Sequence, residues 1–107
     1  RGLLEQTLVC CLGEFGRSPL INSAGGRDHW TGCWTVYFAG GGVQGGRAIG
    51  RSDGMGAEPA ERPTSVAEIT ATVYRGIGVS PGQLPPGLNG NNVPFFETGK
   101  QPISELF

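Results

Sequence analysis

Residues 7–12, Thr-Leu-Val-Cys-Cys-Leu, form a short apolar run that stops at Gly13. The run has no polar alternation, so both of its faces are expected to be covered. That is the pattern of a central strand in a parallel sheet flanked by helices, and it sets the expected fold class as α/β. Residues 1–6 then read as the tail of a preceding helix and its connection. On the other side of Gly13, residues 13–32 carry Gly, Asn, Ser, Pro and charge without a period and read as a twenty-residue loop. Loops of that length in a small domain are often functional. This one follows the carboxyl end of the expected strand, where open α/β sheets place their ligand crevice.

Further along, residues 33–39, Cys-Trp-Thr-Val-Tyr-Phe-Ala, are rich in aromatic and β-branched side chains and predict a second strand. Trp34, Val36 and Phe38 fall on one face and Cys33, Thr35 and Tyr37 on the other. Residues 40–46, Gly-Gly-Gly-Val-Gln-Gly-Gly, read as a wide turn, residues 48–50 as a short returning strand, and residues 53–63 as surface loop. Ser65 followed by Glu68 is a capping-box pattern. Val66, Ile69, Val73 and Ile77 step along one helical face, and Gly76 and Gly78 are stop signals. Residues 79–107 hold five of the eight prolines and predict an irregular tail, pinned by Phe95, Phe96, Ile103, Leu106 and Phe107.

Composition bounds what such a chain does. With 107 residues it is at most one small domain. Lys+Arg 8 against Asp+Glu 9 leaves a formal net charge of −1, which excludes a nucleic-acid binder of the basic-patch kind. No run approaches the ~18 apolar residues of a membrane span. Gly and Pro together reach the range where disorder is suspected, but two Trp, two Tyr and five Phe argue for an ordered chain. Even a compact chain of this length buries only about two-thirds of its unfolded surface. The chain starts Arg1-Gly2-Leu3-Leu4, without Met or a signal-like apolar core, and is expected to be a truncated part of a longer domain.

The residues able to carry chemistry gather in the 13–32 loop. Glu14 lies two residues beyond the apolar run, where a carboxylate can ligate a metal or act as a base, or simply pair with Arg17. His29 is the single histidine, so a zinc site would need carboxylates or residues beyond this chain. Asp28 beside it is placed to orient an imidazole. Arg17 and Arg27 flank the loop with planar forks that match phosphate or sulfate. Gly40 to Gly45 fits G-x-G-x-x-G, but no helix follows, and it reads as a strand connection rather than a dinucleotide site. Cys10, Cys11 and Cys33 give no disulfide framework and read as small hydrophobes. A Cys/His metal module built from them and His29 lacks the C-x₂-C pair.

Taken together, TLVCCLGEFGRSP (7–19), GGRDHW (25–30), TVYFAGGGVQGG (35–46), EITATVY (68–74) and GKQPISELF (99–107) resemble the carboxyl-terminal part of the domain-of-unknown-function family 1501, an alkaline-phosphatase-like, sulfatase-related group. The resemblance implies an α/β/α sandwich with a largely parallel sheet. It also implies metal-assisted hydrolysis of sulfate or phosphate esters. Glu14 stands where that superfamily has an acidic metal ligand and His29 where it has a later histidine. Phe15 departs from the pattern, since it occupies an adjacent ligand position and cannot bind metal. The implied cofactor is a divalent metal, zinc or calcium, with Glu14 and His29 as ligands and Asp28 behind them. Arg17 and Arg27 would stabilise charge on the transferring group. The nucleophile, a Ser, Thr or modified Cys, is expected upstream of this chain, so that the isolated fragment would be inactive. The implied substrate is an anionic ester, such as a sulfated or phosphorylated glycan, and relatives imply a periplasmic or secreted setting. The alternative expectation is a non-catalytic relative that binds an anionic ligand or glycan on the same fold.

Overall fold

The apolar run at residues 7–12 does form a strand in the computed structural model, which describes residues 1–84, 93–95 and 99–107. The elements are β1 (Val9–Cys11), β2 (Gly16–Arg17), β3 (His29–Trp30), β4 (Tyr37–Ala39), β5 (Arg51–Ser52), β6 (Pro59–Glu61) and the helix α1 (Val66–Gly76). Short 3₁₀ turns cover Leu4–Gln6 and Ser104–Leu106.

The parallel sheet and the α/β/α sandwich expected from the sequence are overturned. The strands form three separate antiparallel pairs, β1 with β4, β2 with β3 and β5 with β6. Parallel neighbours need a crossover, usually helical, between them. Here the one α-helix follows all six strands, so no strand–helix–strand unit exists among the described residues. Nor is β1 covered on both faces, because Val9 and Cys11 are exposed and only Cys10 is half-buried. The second predicted strand shrinks to Tyr37–Ala39. Trp34, Val36 and Phe38 are half-buried and Thr35 and Tyr37 exposed, as the alternation predicts, but Cys33 is half-buried against it. The returning strand falls at Arg51–Ser52 rather than at 48–50, and the expected surface loop contributes its partner, β6.

The fold is drawn out rather than gathered round one centre. Its radius of gyration is 16.8 Å, against about 13 Å for a compact domain of this length. Among the described residues the buried apolar side chains are Ile69, Ala71 and Ile103. Cys10, Cys11 and Cys33 are all free thiols. Burial, with Cys11 adding to it, pushes the Cys10 thiol above its usual value. Trp34 Nε1 is buried with no hydrogen-bond partner among the described residues.

The sheet β1–β4 is fixed by glycine. After β4 the backbone turns at Gly40 with φ 69°, and Gly41 N donates to Leu4 O at 3.0 Å. A Cβ at Gly40 would run into the carbonyl oxygens of Thr7 and Leu4. The glycine therefore lets the chain leaving β4 lie directly on the chain entering β1.

Helix α1 starts as predicted. Ser65 Oγ accepts from Glu68 N at 3.2 Å, and a Glu68 carboxylate oxygen accepts from Ser65 N at 2.8 Å, so the capping box is closed both ways. Its buried face differs from the predicted one. Val66 and Ile77 are 64% and 66% exposed, whereas Ile69, Ala71 and Thr72 are buried. The small side chains of Ala71 and Thr72 admit the tail, and Leu8 packs against Gly76. Thr72 Oγ1 donates to Glu68 O at 2.7 Å and accepts from Ile103 N at 2.8 Å, which satisfies a buried amide.

The tail is pinned as expected at Ile103, which is buried, and at Leu106 and Phe107, which are half-buried. The Arg75 guanidinium lies 4.1 Å from the Phe107 ring centroid, and Tyr74 meets Phe95 at 5.3 Å. Phe96 lies outside the described residues. Arg62 ties the tail to the helix, pairing with Glu68 at 2.8 Å and Glu105 at 2.6 Å. Arg62 holds a positive φ of 45°, unusual for a residue with a Cβ, and its two carboxylate partners fix it there.

This clamp is acid-sensitive. Hydrogen bonding from Arg62 draws the Glu105 carboxyl down to about 2, and the Ser65 amide, with Arg62, lowers that of Glu68. Carboxyls with depressed values stabilise the fold fully above the ordinary value of about 4.5 and lose that contribution as pH falls toward the folded value. The thermal midpoint of the chain is therefore expected to drop between about pH 4.5 and pH 2. Calorimetry across that range checks it, and Arg62→Gln should flatten the profile.

Candidate functional site

The loop at residues 13–32 is built, not structureless. β2 and β3 pair with Gly16 opposite Trp30 and Arg17 opposite His29, so the segment is a hairpin. Asn22 makes its tip: Asn22 Oδ1 accepts from Ala24 N at 3.1 Å and from Gly26 N at 2.9 Å. This is how an Asn side chain nucleates a turn. Ser18 N donates to Asp28 O at 2.8 Å and extends the ladder beyond β2. Gly16 is buried, and a Cβ there would collide with the Cys33 carbonyl, so the hairpin root lies tight on Cys33 and Trp34. Trp30 Nε1 donates to Ala57 O at 2.7 Å and ties the other root to the β5–β6 connection. The crevice expected at the end of parallel strands is replaced by the exposed face of this hairpin.

Four of the five predicted site residues, and Phe15, are placed by this frame. Arg17 and His29 are cross-strand partners and therefore share a face. Phe15, two residues before Arg17, is on the same side. Its ring centroid is 4.0 Å from that of His29 with a 32° tilt, and the Arg17 guanidinium is 5.8 Å from it. Arg27 is turned to a different task. Its Nη1 donates to Ser18 O at 2.7 Å and Pro19 O at 2.8 Å, bracing the hairpin across its width. Asp28 accepts from Asn22 Nδ2 at 2.8 Å, so the carboxylate expected behind His29 serves the turn instead. Glu14 is exposed at the entry to β2 and makes no hydrogen bond or ion pair with the described residues. The pair with Arg17, the alternative to a metal-ligating or basic Glu14, is not formed.

The donor chemistry of Glu14 and His29, a carboxylate and an imidazole, suits a divalent metal. They do not make a metal site by themselves: no three His, Cys, Asp or Glu side chains gather among the described residues, and no contact joins Glu14 to His29. A four-coordinate ion would draw its other ligands from elsewhere. The Cys/His module is excluded by the same finding. A cavity of about 360 Å³ between the end of α1 and Gln101–Pro102 shares no lining residue with the hairpin. No helix among the described residues is long and apolar enough to cross a membrane.

Sequence reasoning did not find Phe15 as a contact of His29, nor Asn22 as the organiser of the turn. The alternation of Phe15 and Arg17, and Asn22 followed by Gly25-Gly26, carried those signals.

One family model matches the chain over residues 1–107, described as a protein of unknown function, DUF1501. No curated protein matches it, and no solved structure does.

Proposed function

The chain belongs to the DUF1501 family, and from that premise we propose that it supplies part of a metal-dependent site for hydrolysing sulfate or phosphate esters, as in the alkaline-phosphatase-like and sulfatase-related enzymes. The observation that carries this reading is the register of the hairpin, which sets Arg17 opposite His29 on an exposed face. A cation and an imidazole side by side suit an anionic ester group.

In this proposal Glu14 and His29 hold a zinc or calcium ion together with ligands from outside the described residues. The metal, when bound, polarises the ester and lowers the pKa of the attacking group. Arg17 offers its guanidinium to the non-bridging oxygens and stabilises the charge that grows there. Arg27 acts one step back by holding the hairpin, through the Ser18 and Pro19 carbonyls, in the shape that presents Arg17 and His29. The nucleophile comes from outside the described residues.

The second reading is a non-catalytic relative that binds an anionic ligand, for example a sulfated or phosphorylated glycan, directly on Arg17 and His29. The absence of any three-ligand cluster among the described residues favours it. Measuring bound metal by elemental analysis in the full-length protein, together with its turnover of an aryl sulfate and an aryl phosphate, separates the two. Stoichiometric metal with turnover of either ester is expected. Ester binding without metal or turnover would leave the second reading.

A further inference from the structure

We propose that the cavity between the end of α1 and the tail binds a small organic carboxylate with an apolar body. Its volume of about 360 Å³ lies at the low end of the range of about 300–1,000 Å³ that ligand pockets span. The lining carries one full charge, the Arg75 guanidinium, and no carboxylate. Val79, Pro81 and Pro102 supply apolar walls, while Ser80 and Gln101 add a hydroxyl and an amide. A cation and two uncharged polar groups set among apolar side chains select an anionic head on an apolar body. The cavity shares no residue with the hairpin, so this inference stands apart from the metal-site reading.

Arg75 has no structural task that occupies its charge. A basic residue in the last turn of a helix commonly bonds the free carbonyls there. Here the backbone satisfies them itself. Gly78, at φ 86°, lets the chain fold back so that Gly78 N donates to Arg75 O and Val79 N to Tyr74 O, both at 2.9 Å. That pair of bonds is the Schellman motif. No hydrogen bond or ion pair joins the Arg75 side chain to the described residues, whereas Arg62 is held by two carboxylates. What meets the Arg75 guanidinium is the Phe107 ring at 4.1 Å, which orients the group without neutralising it. The Ser80 hydroxyl and the Gln101 amide are likewise without a hydrogen-bond partner among the described residues. Both walls are fixed in advance. The Schellman turn sets one, and Ile103, buried beside Pro102 with its amide bonded to Thr72 Oγ1 at 2.8 Å, sets the other. A cavity formed before its ligand arrives lowers the ordering cost of binding.

Benzoate titrated into the isotope-labelled chain tests the site, with the neutral benzamide as control. Benzoate is expected to shift the backbone amide signals of Gly78, Val79 and Gln101 saturably. Benzamide should bind about tenfold more weakly or worse, the difference expected when a charge-assisted hydrogen bond is lost. Arg75→Gln should weaken benzoate by a similar factor. Gln101→Ala, at an exposed side chain with no partner to lose, should weaken it several-fold and leave the fold intact. Absent or unsaturable shifts overturn the site. Equal affinity for benzamide overturns the anionic preference. Native affinity in Arg75→Gln overturns the role of the guanidinium. If that variant does not fold, Gln101→Ala decides: native affinity there places benzoate elsewhere and overturns the proposal.

Discussion

Gly40→Ala is expected to destabilise the chain by about 1–4.5 kcal/mol net, from two sources partly offset by a third. The first is conformational. Gly40 sits at φ 69°, in the left-handed region, where a side chain costs about 1–2 kcal/mol. The second is steric. The new methyl group would meet the Thr7 and Leu4 carbonyl oxygens and stand 2.7 Å from Leu4 Cδ1. Two of these three are backbone atoms, so relief requires moving the chain on which β1 rests, an overpacking cost of about 1–3 kcal/mol. Loss of unfolded-state freedom returns about 0.4–1 kcal/mol. Gly42→Ala is the control. Its φ is 85°, yet a Cβ there meets nothing within 4 Å. That variant should lose only the conformational part, about 1 kcal/mol. Urea midpoints of the two variants decide the matter: equal losses would mean that the close approach at Gly40 contributes nothing.

His29→Ala and Glu14→Gln are expected to abolish metal binding at the hairpin and ester turnover with it. On the proposed reading each is a direct ligand in the full-length protein, so the loss should exceed the about tenfold to hundredfold typical of removing an outer-sphere partner. Neither side chain is buried or hydrogen-bonded to the described residues, so stability should hardly change. The contrast is Arg27→Ala, which removes two hydrogen bonds that brace the hairpin. It should loosen Arg17 and His29 together, lowering turnover and hairpin protection from proteolysis alike. Elemental analysis, ester turnover and limited proteolysis on the three variants separate ligand from brace. Full metal content and activity in His29→Ala would refute the ligand assignment.

How much of this was legible in the sequence differs by element. The helix start was, because a capping box is local chemistry: Ser65 and Glu68 satisfy each other's amides without help from the rest of the fold. The existence of strands near 9–11 and 37–39 was also legible, since apolar and β-branched residues favour the extended chain. Their direction was not. An apolar run states that it will be covered and says nothing about which segment pairs with it or in which sense. The buried stripe of α1 was misplaced for a related reason. Val66 and Ile77 looked like core by periodicity, but burial followed the tail, which enters where Ala71 and Thr72 leave room. At the site, residue types were legible and geometry was not. Glu14, Arg17 and His29 stand out chemically, whereas the stacking of Phe15 on His29 depends on a register that only the folded hairpin fixes.

The docking of the tail sets the order in which this chain folds. Ile103 bonds to Thr72 across 31 residues, Arg62 to Glu105 across 43, and Arg47 to the Glu105 carbonyl across 58. Each closes a long loop whose entropy must be lost before the contact is gained. The capping box and the Asn22 turn, by contrast, close over three and four residues. The hairpin and the start of α1 can therefore form early and independently, and the carboxyl-terminal residues seal the assembly last. The hairpin that carries Arg17 and His29 thus does not wait for the tail, and the candidate site takes shape on a faster clock than the rest of the molecule.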